Sequence, residues 1–431
     1  MPITVLKNRA VRVITAYAAW LRWFAVAAGT ASIVACQTPG PAPAPERPQA
    51  LVAPVTFERA IDFAVDDLLI QLQRLPEFQV APAPTGIAAV LRKDEPVAAK
   101  VRLVVDNAVD GVTGQQTVAT RALDKRLLDG VVARFPRFQV APISAGDVAA
   151  SRFILTTAVT LFAAAQDKTS SYRLNLALTD GRNGIVVAQA SAQATGETVD
   201  STPTPFYRDS PSLVKDRTVE GQIRTAQATP GTPADGVYIA SLSVAALISE
   251  GSRLYEAGEY AQALAVYETA AARPDGRHLR VFNGLYLSNI QLNRADGAEA
   301  AFARLVLLGL TTNSLAVKFL FKPGSTDFWP DPKINAAYPM WIRVVARESL
   351  AAKACITVAG HTSRTGTDQA NERLSMSRAV AIQKRLEGVS PEIAGRLQST
   401  GFGFRENLIG TGSDDVRDAL DRRVEFRVRN C

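Results

Sequence analysis

Two histidines and three cysteines, set far apart along 431 residues, exclude a zinc site, which needs three or four such ligands closely spaced. No G-x-S-x-G elbow is present to seat a nucleophile. One glycine loop, Gly410-Thr-Gly412-Ser-Asp-Asp, lacks the lysine and the spacing of a phosphate cradle. His361 has no nucleophile pattern around it and reads as a hydrogen-bonded residue at a strand end. These absences leave catalysis without support, and no cofactor or metal motif stands in its place. The net charge of +7 is spread along the chain, with no basic patch interleaved with aromatics, so nucleic acid is not the indicated partner. Long apolar runs are missing as well. The run from Trp23 to Ala35 is too short for a spanning helix.

What is present begins with an amino-terminal export pattern. Lys7, Arg9, Arg12 and Arg22 precede that run, and small residues lead to Cys36. Residues 1–35 therefore read as a secretory signal. Ile33-Val34-Ala35-Cys36 resembles the bacterial lipobox, in which the thiol is acylated and becomes the mature amino terminus. That resemblance implies a lipid anchor at Cys36, and Gln37 in place of an aspartate implies the outer membrane. The bland reading is an uncleaved anchor helix with an incidental cysteine. Residues 36–54 then form the lipidated cysteine and a Pro/Ala-rich linker, extended like a stalk. With Cys36 acylated, Cys355 and Cys431 remain. An oxidising compartment allows them to bridge, and two reduced thiols are equally open.

With 47% apolar residues the rest of the chain has material for real cores, at a length that holds two or three domains. Residues 55–198 read as a small α/β domain. Thr56 to Leu75 has a helical apolar spacing, Val101–Val105 a strand, Thr117–Phe135 a helix, and Phe138–Val140 and Phe153–Phe162 further strands. Leu174, Leu176 and Leu178 alternate with polar residues, and Asp180-Gly-Arg-Asn-Gly184 turns the chain into a hairpin with Ile185–Ala192. The order resembles envelope assembly domains of the TolB amino-terminal and curli-secretion type, by topology alone. Residues 199–236, proline-rich and with little apolar periodicity, read as a linker or long loop. In 237–311, Gly251, Leu254, Ala263, Tyr267 and Ala270 take the spacings of a tetratricopeptide repeat, and Ala298 and Phe302 echo Ala263 and Tyr267 some 35 residues on. Such hairpins serve as a peptide groove or as a helical spacer.

Residues 312–431 alternate strand, helix, strand, helix, strand, strand. They carry Gly360-His361-Thr362, the run Asn371, Leu374, Ser375, Arg378, Ala379, the turn Gly401-Phe-Gly403, and Arg422-Arg-Val-Glu425. This ordered set resembles the OmpA-like family. The expected architecture is thus multidomain α/β and α: a small α/β domain, tetratricopeptide-like hairpins and a carboxyl-terminal OmpA-like α/β sandwich. The resemblance implies non-covalent binding of peptidoglycan through the diaminopimelate of its stem peptide, at Thr362, Ser363, Asn371, Leu374, Arg378 and Arg422. Arg378 would offer a planar fork to the ligand carboxylate. The family pattern has Asp where this chain has Ser363, and usually Asn where it has Asp421. Ser363 offers an oxygen without a charge for the ligand ammonium, and Asp368 on the same loop is a substitute. The plain reading pairs Arg378 with Glu372 or Asp368 on the surface. Two roles follow: an outer-membrane lipoprotein tethering membrane to wall, or an accessory lipoprotein whose residues 55–311 hold an envelope protein partner.

Overall fold

Alternating leucine, valine and threonine positions build a six-stranded mixed sheet in the first half of the chain. The computed structural model describes residues 53–75, 78, 100–163, 170–322, 324–408 and 420–431. The expected signal segment, Cys36, nearly all of the Pro/Ala-rich linker and the Gly410 loop lie outside the described residues. Among those searched, no helix is long and apolar enough to cross a membrane.

Helix α1 (Phe57–Gln73) buries Ile61, Ala64, Leu68 and Leu72 on one face, and Thr56 precedes it without a side-chain cap bond. Strands β1 (Val101–Val105) and β2 (Val109–Asp110) lead to α2 (Val118–Arg134), whose first turn is closed by a reciprocal Thr117–Thr120 capping box. Then come β3 (Phe138–Pro142), the short α3 (Ala145–Ala150), and the long β4 (Phe153–Ala163), β5 (Ser170–Asp180) and β6 (Ile185–Thr195). The strand order is β3-β1-β4-β5-β6, with β2 beside β4. Leu103, Leu155, Leu174 and Leu176 meet α1 and α2 in one core.

Residues 199–236 are not a plain connector. They carry α4 (Pro205–Asp209) and α5 (Arg217–Gln227), and α5 packs Val219, Ile223 and Ala226 on Val109 and Ala158. Tyr238 of α6 (Gly236–Ala240) and Leu242 of α7 (Leu242–Glu256) close over Val104 and Ile154. Strand β4 is apolar on both faces and needs two covers, and this stretch supplies the second. Asp216 caps α5, its Oδ1 accepting from the N–H groups of Thr218 and Val219 at 3.1 Å each.

Helices α7, α8 (Tyr260–Ala272), α9 (Leu279–Gln291) and α10 (Ala295–Thr311) form two successive hairpins. Their closeness rests on small residues. Gly251 of α7 and Gly284 of α9 both face the fully buried ring of Tyr267, and a Cβ on either would overlap it.

The same core runs on into the carboxyl-terminal region. Trp341 Nε1 donates to the Tyr286 hydroxyl at 2.9 Å, and the Phe302 and Trp341 rings stand 5.7 Å apart. Strand β7 (Leu315–Val317) is the edge of the second sheet, and the chain at Pro211–Leu213 pairs with it: Leu213 N–H donates to the Ala316 carbonyl and Lys318 N–H to that of Pro211. Helices α11 (Pro332–Asn335) and α12 (Tyr338–Ala351), strand β8 (Cys355–Gly360), helix α13 (Asp368–Val389), β9 (Leu397–Gly401) and β10 (Val424–Arg429) follow. The second sheet has the order β7-β10-β8-β9, with β8 and β9 parallel and β10 antiparallel to its neighbours. A disulfide joins Cys355 at the start of β8 to Cys431, with Cα atoms 5.2 Å apart.

The glycine contacts give a direct test. Gly284→Ala pushes a methyl into the Tyr267 ring, and overpacking of this kind destabilises by about 1–3 kcal/mol. We expect a lower denaturant midpoint for Gly284→Ala, while Gly146→Ala, where nothing lies within 4 Å, keeps the wild-type midpoint or exceeds it.

Candidate functional site

Strand β8 delivers Gly360-His361-Thr362-Ser363 to the end of the second sheet, and α13 lies directly across that end. The approach is backbone on backbone. A Cβ on Gly360 would overlap the carbonyl of Ser375, and one on Gly401 would stand 2.6 Å from the Met376 nitrogen. Ser375 and Ala379 are the small partners on the helix side, both fully buried. Ser375 Oγ donates to the Glu372 carbonyl and accepts from Gly403 N–H, each at 2.9 Å, and so ties the helix to the Gly401-Phe-Gly403 turn.

The loop between β8 and α13 is held from inside. Thr367 caps the helix, its Oγ1 accepting from Ala370 N–H at 3.3 Å, so α13 begins at Asp368. Asn371 is buried and its Nδ2 donates to the carbonyls of Thr365 (2.7 Å) and Thr367 (3.1 Å). Ser363 is 5% exposed, with its Oγ 3.4 Å from Thr365 Oγ1. Thr362 N–H donates to Gly403 at 2.9 Å, while its buried Oγ1 has no hydrogen-bond partner among the described residues. Asp368 is exposed on the first helical turn, and Leu374 is half-buried.

Arg378 departs from the expected surface fork. It is 2% exposed, and its guanidinium donates to the carbonyls of Lys322 (3.1 Å) and Ser325 (3.2 Å) while lying 5.0 Å from the Phe321 ring centre. Its register explains the pose: it shares the inward face of α13 with Asn371 and Ser375, and that face points at the sheet end and the 322–325 turn. Glu372, the surface partner considered for it, pairs with Arg405. Of the six sequence-derived residues, Ser363 and Asn371 are both tied to Thr365 in the loop, Thr362 is held to Gly403, and Arg378 lies two turns along the helix from Asn371 against the 322–325 turn. Arg422 is half-buried at the start of the last strand segment, and its neighbour Arg423 is 2% exposed. Asp421 is fully buried and accepts from Leu408 N–H at 2.6 Å, a backbone role that its oxygen performs as well as an asparagine oxygen would.

Sequence reasoning missed the carbonyl acceptors of the 322–325 turn and a charged cluster behind the loop. His361 is fully buried, stacked on Phe402 at 5.4 Å. Its Nε2 lies 3.6 Å from Glu425 and its Nδ1 3.9 Å from Glu406, beyond hydrogen-bond reach. The three residues gather within 4.8 Å, but Arg423 and Arg427 already engage both carboxylates, so the group is a salt-bridge cluster before it is a metal set. The repeated carboxylate and arginine positions around Glu425 were the available signal. Burial pushes the His361 pKa below its usual value, and the Arg423 charge adds to this against the pull of Glu425 and Glu406. Glu425 is also burial-penalised, yet His361, Arg423 and Arg427 hold its pKa well below the carboxylate range.

A depressed histidine pKa means that the unfolded chain takes up a proton before the folded one. Stability is then complete above about pH 6.5 and falls below it, by up to ~1.4 kcal/mol per pH unit for one proton. The difference in unfolding free energy between wild type and His361→Gln should shrink from pH 7 to pH 5. A difference that stays constant, or grows, rules out a neutral His361 in the fold.

Residues 320–420 match the OmpA family, so the carboxyl-terminal segment is an OmpA-family domain. The chain is similar to the peptidoglycan-associated lipoprotein of Burkholderia pseudomallei, at 21% identity over 26% of this chain and 89% of that one, with a TM-score of 0.22. It is similar also to the OmpA-like domain of FopA1 from Francisella tularensis (20% identity, 27% of this chain and 74% of that one, TM-score 0.21). A third likeness is to the periplasmic domain of Helicobacter pylori MotB (18% identity, 27% and 74%, TM-score 0.21). No curated protein matches the chain. The family match leaves everything before residue 320 unassigned.

Proposed function

We propose that this chain is an outer-membrane lipoprotein, anchored through Cys36 and facing the periplasm, that binds peptidoglycan non-covalently through its OmpA-family domain. It would tether the outer membrane to the wall by gripping the diaminopimelate of the stem peptide, without catalysis. The observation that supports the reading is the OmpA-family match over residues 320–420, with Thr362 and Ser363 buried just past the end of β8 and Asn371 and Arg378 buried on one face of the helix packed across it.

The chemistry is that of a zwitterion held at two ends. Arg378 is the cation for the ligand carboxylate, but its fork is taken by two backbone carbonyls. Binding therefore exchanges at least one of those neutral acceptors for a carboxylate, a stronger partner by the charge it adds. The hydroxyls of Thr362 and Ser363 receive the ammonium. Thr362 Oγ1 is buried without a partner among the described residues, a group for which a ligand hydrogen bond removes a penalty of about 1–3 kcal/mol. Leu374 and Arg422 border the site. A second reading, an accessory lipoprotein whose residues 55–311 engage an envelope protein, is favoured by the core shared between the helical hairpins and the OmpA-family domain, which would couple the two.

Pelleting of the full chain with purified sacculi tests the wall reading. Arg378→Lys keeps the charge and loses the fork, and should weaken co-sedimentation roughly tenfold, as expected for about 1.5 kcal/mol. Ser363→Asp restores a carboxylate and should strengthen it by a similar factor. Free diaminopimelate should release the wild-type protein. Wild-type pelleting by a folded Arg378→Lys protein, or indifference to diaminopimelate, overturns the ligand assignment.

A further inference from the structure

We propose that the cleft between α5–α6 and the α9–α10 hairpin is a docking site for an acidic peptide segment that also carries apolar side chains. The cleft has a volume of about 490 Å³, within the range of ordinary ligand sites, and lies away from the OmpA-family domain. Its floor is apolar where Val237, Ala240 and Leu308 line it, and Val237 keeps 50% of its surface exposed.

The acids in the cleft are committed within the protein. Asp216 accepts from Thr218, Val219 and Leu279 N–H groups and faces His278 Nδ1 at 3.5 Å. Asp275 pairs with Arg273 at 3.0 Å. Ser241 Oγ donates to the Val237 carbonyl at 2.7 Å. Arg217 and Arg277 differ from all of these. Both are exposed on the lining, and among the described residues neither has a hydrogen-bond or ion-pair partner.

Two unpaired guanidiniums beside an apolar floor define the complement. A carboxylate answers the arginines, which pair with it in a planar fork. An apolar side chain answers Val237, Ala240 and Leu308. An inorganic anion would satisfy the first and leave the second wet, and a basic segment would be repelled. A peptide bearing both acidic and apolar residues satisfies both. The site is independent of wall binding, so either can fail alone.

Fluorescence anisotropy on the full chain decides the matter with three labelled decapeptides: alternating Glu and Leu, alternating Lys and Leu, and alternating Glu and Ser. Saturable binding of the Glu/Leu peptide is expected, at least tenfold weaker for Glu/Ser and absent for Lys/Leu. Arg217→Glu combined with Arg277→Glu should weaken the Glu/Leu peptide at least tenfold. Both positions are exposed, and a glutamate in the first turn of α5 suits the helix dipole, so the unfolding midpoint should hold. Sacculus pelleting of the double variant should match wild type. No binding of Glu/Leu, equal binding of Lys/Leu or Glu/Ser, or indifference to the double reversal overturns the proposal.

Discussion

One buried carboxylate sets the relation between the sheet and the helices. Helix α5 covers the second face of the first sheet, and α9 runs through the centre of the helical hairpins. Each begins at Asp216, which caps the first through Thr218 and Val219 and the second through Leu279. A helix start presents orphan N–H groups and a partial positive charge, and burying two of them without an acceptor would be prohibitive. Burial by itself would raise the pKa of this aspartate, but the His278 hydrogen bond, the Arg280 charge and the Val219 N–H hold it below the ordinary value. The acid therefore stays charged, and the two helix starts it serves cannot separate without stranding it.

The carboxyl-terminal region obeys a different constraint, the near contact of backbone with backbone. Gly360, Gly401, Ser375 and Ala379 let α13 settle onto the ends of β8 and β9, and the hydroxyl of Ser375 fills the remaining space with two hydrogen bonds. That tight seat is what turns Asn371 and Arg378 inward. Asn371 is spent on the loop that presents Thr362 and Ser363, and Arg378 on the turn at Lys322 and Ser325. The proposed binding residues are thus also the ones that shape the loop, so recognition and local architecture share the same groups.

Much of this was legible in the residues. Period-two alternation gave the β5–β6 hairpin, and the ordered motif from Gly360 to Ala379 located strand, loop and helix within a few positions. The stretch 199–236 was not legible as structure, for a definite reason. The apolar stripe of α5 is only Val219, Ile223 and Ala226, sharing the buried face with Thr218, Gln222 and Thr225, so its periodic signal is short and polar-diluted between flanking prolines. The Asp106–Gln116 segment has the polar, glycine-bearing composition of a surface turn, yet nearly all of it is buried, with Asp110 satisfied by Val112 and Thr113. The pose of Arg378 depends on carbonyls more than fifty residues upstream, and no local pattern encodes a contact at that distance.

The bond between Cys355 and Cys431 has a topological consequence. It closes a covalent ring of 76-residue separation that contains β8, α13, β9 and β10, hence Thr362, Ser363, Asn371, Arg378 and Arg422 together. The turn at Lys322 and Ser325 lies outside that ring. A single proteolytic nick inside it leaves the two pieces linked, whereas a cut at the turn leaves no covalent link between Arg378 and the segment that ends there. The ring also restricts the unfolded chain, by about 4 kcal/mol in the loop-entropy account. The residues proposed for recognition are thus enclosed in one closed circuit of chain, while the Lys322–Ser325 turn lies on the open part.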